Sequence, residues 1–133
     1  MNVFTYGSLM FDQVWSRVVR GNYRRAEAVL PGHERRAVRG ETYPGVIAAP
    51  GASVAGVVYF DVAAADLARL DDFEGSPYER RSVVLELAGQ ELPAEVYLIR
   101  DPGRLEDSPW DVAGFERAGI FEFLSGYCAP RGI

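Results

Sequence analysis

Apolar positions along this chain follow two periods. Val3, Phe4, Thr5 and Tyr6 form an unbroken β-branched and aromatic run, which suits a buried strand. Gly7 breaks the run, and from Asp12 the period lengthens. Val14, Trp15, Val18 and Val19 fall on one helical face, with Asp12 as a possible cap and Gly21 past the end. Trp15 is expected to pack this helix on a sheet. Strand character returns over 23–30, is interrupted by the turn pair Pro31-Gly32, and resumes over 33–39. A loop over 41–45 follows, then a short strand over 46–49 ended by Pro50-Gly51, and a strong strand over 54–62. Over 63–73 the period changes again: Leu67, Leu70 and Phe73 are three apart, which predicts a short amphipathic helix ended by Gly75. A strand over 78–87, a turn at Gly89-Gln90 and a partner strand over 92–99 read as a hairpin. Ser108-Pro109 reads as a helix start. Ile120, Phe123, Leu124 and Tyr127 mark that helix's buried face, Gly114 and Gly119 weaken it, and 129–133 reads as a frayed end. Runs of strands with few helices between them predict an α+β fold with a mixed or mostly antiparallel sheet, curled or closed around the Gly7 turn.

A length of 133 residues predicts one domain over 1–133. The single cysteine, Cys128, excludes an internal disulfide and a zinc cluster. All 14 basic residues are arginine, so no lysine can form a Schiff base or grip a nucleotide phosphate. A formal charge of −5 without a basic block argues against nucleic acid as a partner. The pairs Arg24-Arg25 and Arg35-Arg36 are expected on solvated strand faces. No apolar run approaches a membrane span, so no membrane partner is expected and the chain is read as cytoplasmic.

Two places could carry chemistry. In the turn formed by Tyr6, Gly7, Ser8 and Leu9, backbone N–H groups lie beyond the strand ladder. There they can converge on an anion or a polarised carbonyl. The other place is the end of the second helix, where Asp71, Asp72 and Glu74 crowd the negative end of the helix dipole. Composition alone reads these carboxylates as solvated. His33, the only histidine, is expected to be a surface or hydrogen-bonded residue.

Several motifs, taken in order, resemble the gamma-glutamylcyclotransferase-like family in its AIG2-like branch. They are Tyr6-Gly7-Ser8-Leu9, Tyr43-Pro44-Gly45-Val46, Leu70-Asp71-Asp72-Phe73-Glu74-Gly75 with Tyr78 and Arg80, and Ala94-Glu95-Val96-Tyr97. The resemblance implies a small β-barrel flanked by helices, with a cavity at one end. It also implies cyclisation of a small-molecule gamma-glutamyl substrate to 5-oxoproline with release of an amine or amino acid. By the same resemblance Glu74 is the catalytic acid/base. Tyr6, Gly7, Ser8 and Leu9 hold the glutamyl group, largely through backbone, and Tyr78 stands near the pocket. No cofactor and no metal are implied.

That chemistry suits these residue types. The substrate's α-ammonium must lose a proton before it can attack, and a carboxylate can take that proton and return it to the leaving nitrogen. Phe73, Asp71 and Asp72 would raise the proton affinity of Glu74. The nucleophile belongs to the substrate, and ring closure draws on the ~7–11 kcal/mol available from proximity. Two other functions fit the residues: a non-catalytic module that binds a small carboxylate or a partner on the same fold, and a hydrolase with Ser8 as nucleophile. The last lacks a Gly-x-Ser-x-Gly elbow.

Overall fold

The computed structural model describes residues 1–116. Five strands close into a barrel: β1 (Val3–Thr5), β2 (Arg25–Ala37), β3 (Pro44–Tyr59), β4 (Tyr78–Leu87) and β5 (Gln90–Ile99). Around the barrel they run β1-β3-β2-β4-β5. Every pairing is antiparallel except the closing one, where β1 runs parallel to β5 at Val3 and Glu95. Two helices lie outside, α1 (Asp12–Val18) and α2 (Ala64–Glu74), and a helical turn, α3, spans Val112–Gly114. The fold is therefore α+β, a small mixed barrel flanked by helices. Among the described residues, no helix is long and apolar enough to cross a membrane.

Strand alternation sorts the apolar residues into two cores. Phe4, Tyr6, Leu30, Val46, Val58, Leu85 and Val96 are among those that fill the barrel. Val3, Val57, Tyr59, Tyr97 and Ile99 point outward, where α1 and α2 cover them with Val14, Trp15, Val18, Leu70 and Phe73. Trp15 stacks on Tyr59, with ring centroids 3.6 Å apart and planes 5° from parallel. Leu70 and Phe73 are buried almost completely, each contributing about 1.5–3 kcal/mol of burial free energy.

Several boundaries differ from the sequence pattern. Pro31-Gly32 and Pro50-Gly51 do not end strands. Pro31 pairs with Ser53 and His33 with Ala48, so residues 49–52 bulge opposite Gly32 while both strands continue. Gly32 and Gly51 have φ of 73° and 86°, the left-handed region that glycine enters freely, so the bend forms within the ladder. The second hairpin turns at Ala88-Gly89, one residue earlier than expected. At α1, Phe11 takes the N-cap position and Asp12 is the first helical residue. Val19, not Gly21, closes the helix. Ser108-Pro109 does not start a helix: the Ser108 carbonyl accepts from the Ala37 N–H, and α3 begins after Asp111, whose side chain accepts from the Gly114 N–H. The face expected from Ile120, Phe123, Leu124 and Tyr127 lies outside the described residues, as do Gly119, Cys128 and residues 129–133.

Candidate active site

Beyond Thr5 the chain leaves β1 and makes one tight turn of 3-10 helix over Ser8–Met10. A Cβ on Gly7 would lie 2.8 Å from Cδ and Cγ of Pro44, so glycine is what lets the start of β3 close against the turn. Side chains of β2 and β3 hold the turn's carbonyls. Arg35 Nη1 donates to the Tyr6 oxygen at 2.8 Å, the Tyr59 hydroxyl to Leu9 at 3.1 Å, and Arg25 Nη2 to Met10 at 3.0 Å. Burial pushes the Tyr59 hydroxyl up to about 12, so it stays a donor. With these carbonyls held, the peptide planes between them have one orientation. The N–H groups of Ser8 and Leu9, in the first turn, have no intrahelical acceptor.

Arg24 and Arg25 are exposed, as expected, although Arg25 reaches back to the turn and Arg24 lies over the Phe60 ring at 4.5 Å. Arg35 departs from the expectation: it is half-buried and donates to the turn. Arg36 does face the polar surface, paired with Glu34 at 2.7 Å.

At the other end of the site, α2 finishes at Glu74, and Gly75 caps it by donating its N–H to the Asp71 carbonyl. Glu74 is half-buried and faces a hollow rather than bulk water alone. The hollow is bounded by the residues that the family resemblance singles out, Tyr6, Gly7, Ser8, Leu9, Glu74 and Tyr78, whereas Asp71 and Asp72 are exposed and not part of its wall. Phe4, Thr5, Tyr43, Pro44, Phe73 and Tyr97 complete its wall. It is narrow, with about 30 Å³ in which a water molecule's centre can move and about 430 Å³ of non-atom space out to the mouth.

Three phenols order the polar side of this pocket. The Tyr6 hydroxyl donates to the Tyr97 carbonyl at 2.5 Å, and the Tyr78 hydroxyl to the Pro44 carbonyl at 2.7 Å. The Tyr97 hydroxyl donates to Asp71 Oδ1 at 2.7 Å. Burial raises the Tyr6 phenol well above its ordinary range. The charge of Glu74 raises it further, against Arg35. Tyr97 is raised by burial, by its bond to Asp71 and by the charges of Asp71 and Glu74, with Arg80 opposing. Glu74 thus sits close enough to act electrostatically on both phenols.

Asp71 is exposed, as composition suggests, yet two side chains hold it. Besides accepting from Tyr97, its Oδ1 lies 3.0 Å from Arg80 Nε, a buried nitrogen that lacks hydrogen-bond alignment there. Arg80 Nη1 continues to Glu95 at 3.1 Å, and Glu95 accepts from the Ser82 hydroxyl at 2.5 Å. Sequence reasoning placed Asp71 beside Glu74, and Tyr97 in a motif, but did not bring Asp71 and Tyr97 together. The available signal was strand alternation: Ala94 and Val96 point into the barrel, which turns Tyr97 outward under α2.

Asp66, near the start of α2, was also missed. It is 3% exposed, yet it accepts from the Arg20 and Gly21 N–H groups, the Tyr23 hydroxyl and Arg69 Nη1. Burial alone would raise its pKa. The four donors outweigh burial and hold the carboxyl well below the usual range. His33 bonds the Pro31 carbonyl at 2.9 Å and is not part of the wall around Ser8. Among the described residues, no three His, Cys, Asp or Glu side chains are grouped to hold a metal.

Comparison with known proteins gives three findings. A family model described as gamma-glutamyl cyclotransferase, AIG2-like, matches residues 3–112. AIG2-like protein D of Arabidopsis thaliana is 39% identical over 82 residues, which is 62% of this chain and 54% of that protein. The chain spans roughly half to three fifths of the length of the curated relatives it matches first. Among solved structures, one Arabidopsis thaliana protein is similar with a TM-score of 0.72 at 26% identity, covering 96% of this chain and 79% of that one. A gamma-glutamyl cyclotransferase structure shares the fold, with a TM-score of 0.64 at 18% identity over 97% of this chain and 86% of that one.

Proposed function

The chain belongs to the gamma-glutamyl cyclotransferase, AIG2-like, family, and from that premise we propose that it converts a gamma-glutamyl amide or amine conjugate into 5-oxoproline and a free amine. One observation carries this reading: Glu74 and the turn 6–9 come from different elements yet line one narrow pocket, with the Glu74 charge acting on the Tyr6 phenol.

The steps follow from proton balance. Glu74 takes a proton from the substrate's α-ammonium, and the freed amine attacks the γ-carbonyl carbon. The new ring nitrogen sheds a second proton, the bond to the leaving nitrogen breaks, and the two protons leave with that nitrogen as an ammonium. A carboxylate that shuttles them one at a time is sufficient. The N–H groups of Ser8 and Leu9 are available for the developing oxyanion or for the substrate's α-carboxylate. The pocket's narrowness folds the chain toward attack geometry, where proximity contributes most.

The test is incubation with a panel of gamma-glutamyl amides and gamma-glutamyl amino acids, with 5-oxoproline followed by mass spectrometry. Glu74→Gln is expected to keep its melting temperature and lose ~10²–10⁴ in turnover. Turnover near wild type in that variant removes Glu74 from the mechanism. Ligand-dependent thermal stabilisation without product from any compound identifies a binding module instead.

A further inference from the structure

The hydroxyl protons around the pocket are not arranged at random. Four hydroxyls of its wall give their protons away. Thr5 donates to the Val57 carbonyl at 2.8 Å, Tyr6 to Tyr97, Tyr78 to Pro44, and Tyr97 to Asp71. A hydroxyl has one proton and two lone pairs, so once its proton is committed it faces its surroundings as an acceptor. The Glu74 charge acts on both Tyr6 and Tyr97. The Tyr97 hydroxyl, bonded to Asp71 of the helix that ends at Glu74, brings an acceptor to the α2 side of the pocket, while backbone N–H groups lie on the turn side.

We propose that Asp71 gives the acceptor cradle beside Glu74 its polarity by holding the Tyr97 proton away from the cavity, so that the phenol oxygen faces a bound primary ammonium. The inference rests on the cyclotransferase reading, which requires an α-ammonium beside Glu74. Asp71 is a positioning residue here. It acts through Tyr97 and is itself held by Arg80, which Glu95 and Ser82 hold in turn. Without Asp71 the Tyr97 hydroxyl is free to turn its proton toward the ligand, where it meets the N–H groups of the ammonium as a donor facing a donor. The cradle selects a free α-amine and disfavours substrates that lack it.

The probe pair is L-glutamine, a gamma-glutamyl amide, and glutaramate, the same molecule without its α-amine. Affinities come from NMR titration, with 5-oxoproline assayed in parallel. Wild type is expected to bind L-glutamine about tenfold more tightly than glutaramate, the factor expected of hydrogen bonds to a charged group. Tyr97→Phe should erase most of that preference by weakening L-glutamine alone, and Asp71→Ala should reduce it several-fold in the same way. Asp71→Asn retains an oxygen that accepts the Tyr97 proton and should keep the preference, although it has lost the charge. No amine preference in wild type overturns the inference. So does an unchanged preference in both Tyr97→Phe and Asp71→Ala, or equal losses in Asp71→Asn and Asp71→Ala. Product formation with an unaffected preference sinks the cradle and spares the cyclotransferase reading. A preference that depends on Tyr97 and Asp71, with no product from any gamma-glutamyl compound, does the reverse.

Discussion

The two ends of α2 each carry a carboxylate, and the contrast between them separates structure from chemistry. Asp66 stands in the first turn, where an anion suits the helix dipole, and four donors from the α1–β2 connection and Arg69 surround it. It is buried, ionised and fully engaged, a staple between two segments of chain. Glu74 stands at the last turn, where the dipole disfavours an anion. It faces a hollow lined by four tyrosines and a tight turn. A carboxylate fixed by many donors on every side serves the fold, whereas one that borders a cavity can meet whatever enters it.

That contrast is breakable by substitution. The largest expected effect is on turnover at the Glu74 end, where Glu74→Gln should cost the ~10²–10⁴ given above without moving the melting temperature. Next comes stability at the Asp66 end. Asp66→Asn turns an NH₂ group toward donors that need an acceptor, and should cost about 2–3 kcal/mol in chemical denaturation while turnover per folded molecule stays near wild type. If Asp66→Asn instead abolishes turnover at full stability, the division of labour along α2 is wrong.

A smaller effect sharpens the turn's part. Gly7→Ala drives a methyl group into the Pro44 ring and should cost about 1–3 kcal/mol by overpacking, with a raised KM as the pocket wall shifts. Acid separates the two carboxylates again. The folded pKa of Asp66 lies below its unfolded value of ~3.9, so its stabilisation is complete above that pH and fades as pH falls toward the folded value. The stability gap between wild type and Asp66→Asn should therefore narrow between pH 7 and pH 3, measured by denaturant titration at each. The smallest effect belongs to Ser8→Ala. Turnover should change by less than the ~10-fold expected of a lost hydrogen bond if the backbone does the binding, and a larger loss would show that the hydroxyl is engaged.

The sequence carried the order of elements well because periodicity reports which face is buried. Val3 and Phe4 for β1, Trp15 for α1, and Leu70 with Phe73 for α2 all lie where the pattern puts them. It failed where a local signal has two structural meanings. Pro31-Gly32 and Pro50-Gly51 read as turns, but a glycine at positive φ serves a bulge inside a continuing ladder equally well. Ser108-Pro109 read as a helix start, but the strand end at Ala37 takes the Ser108 carbonyl first. The site divides the same way. Its motif residues were visible as motifs. Their supports were not: Arg25, Arg35 and Tyr59 meet the turn only once the barrel closes, and Tyr97 meets Asp71 only once α2 lies over β5. Asp66 was invisible for a similar reason, since three of its four donors come from more than 40 positions earlier in the chain.

A structure with 5-oxoproline bound tests the central claim most directly, because the product occupies the place where the ring closes. The lactam is expected in the hollow between the turn 6–9 and α2, with a Glu74 carboxyl oxygen within about 2.6–3.2 Å of the ring nitrogen. Product bound elsewhere on the barrel, or a Glu74 carboxyl turned away to solvent while the lactam fills the hollow, would contradict it.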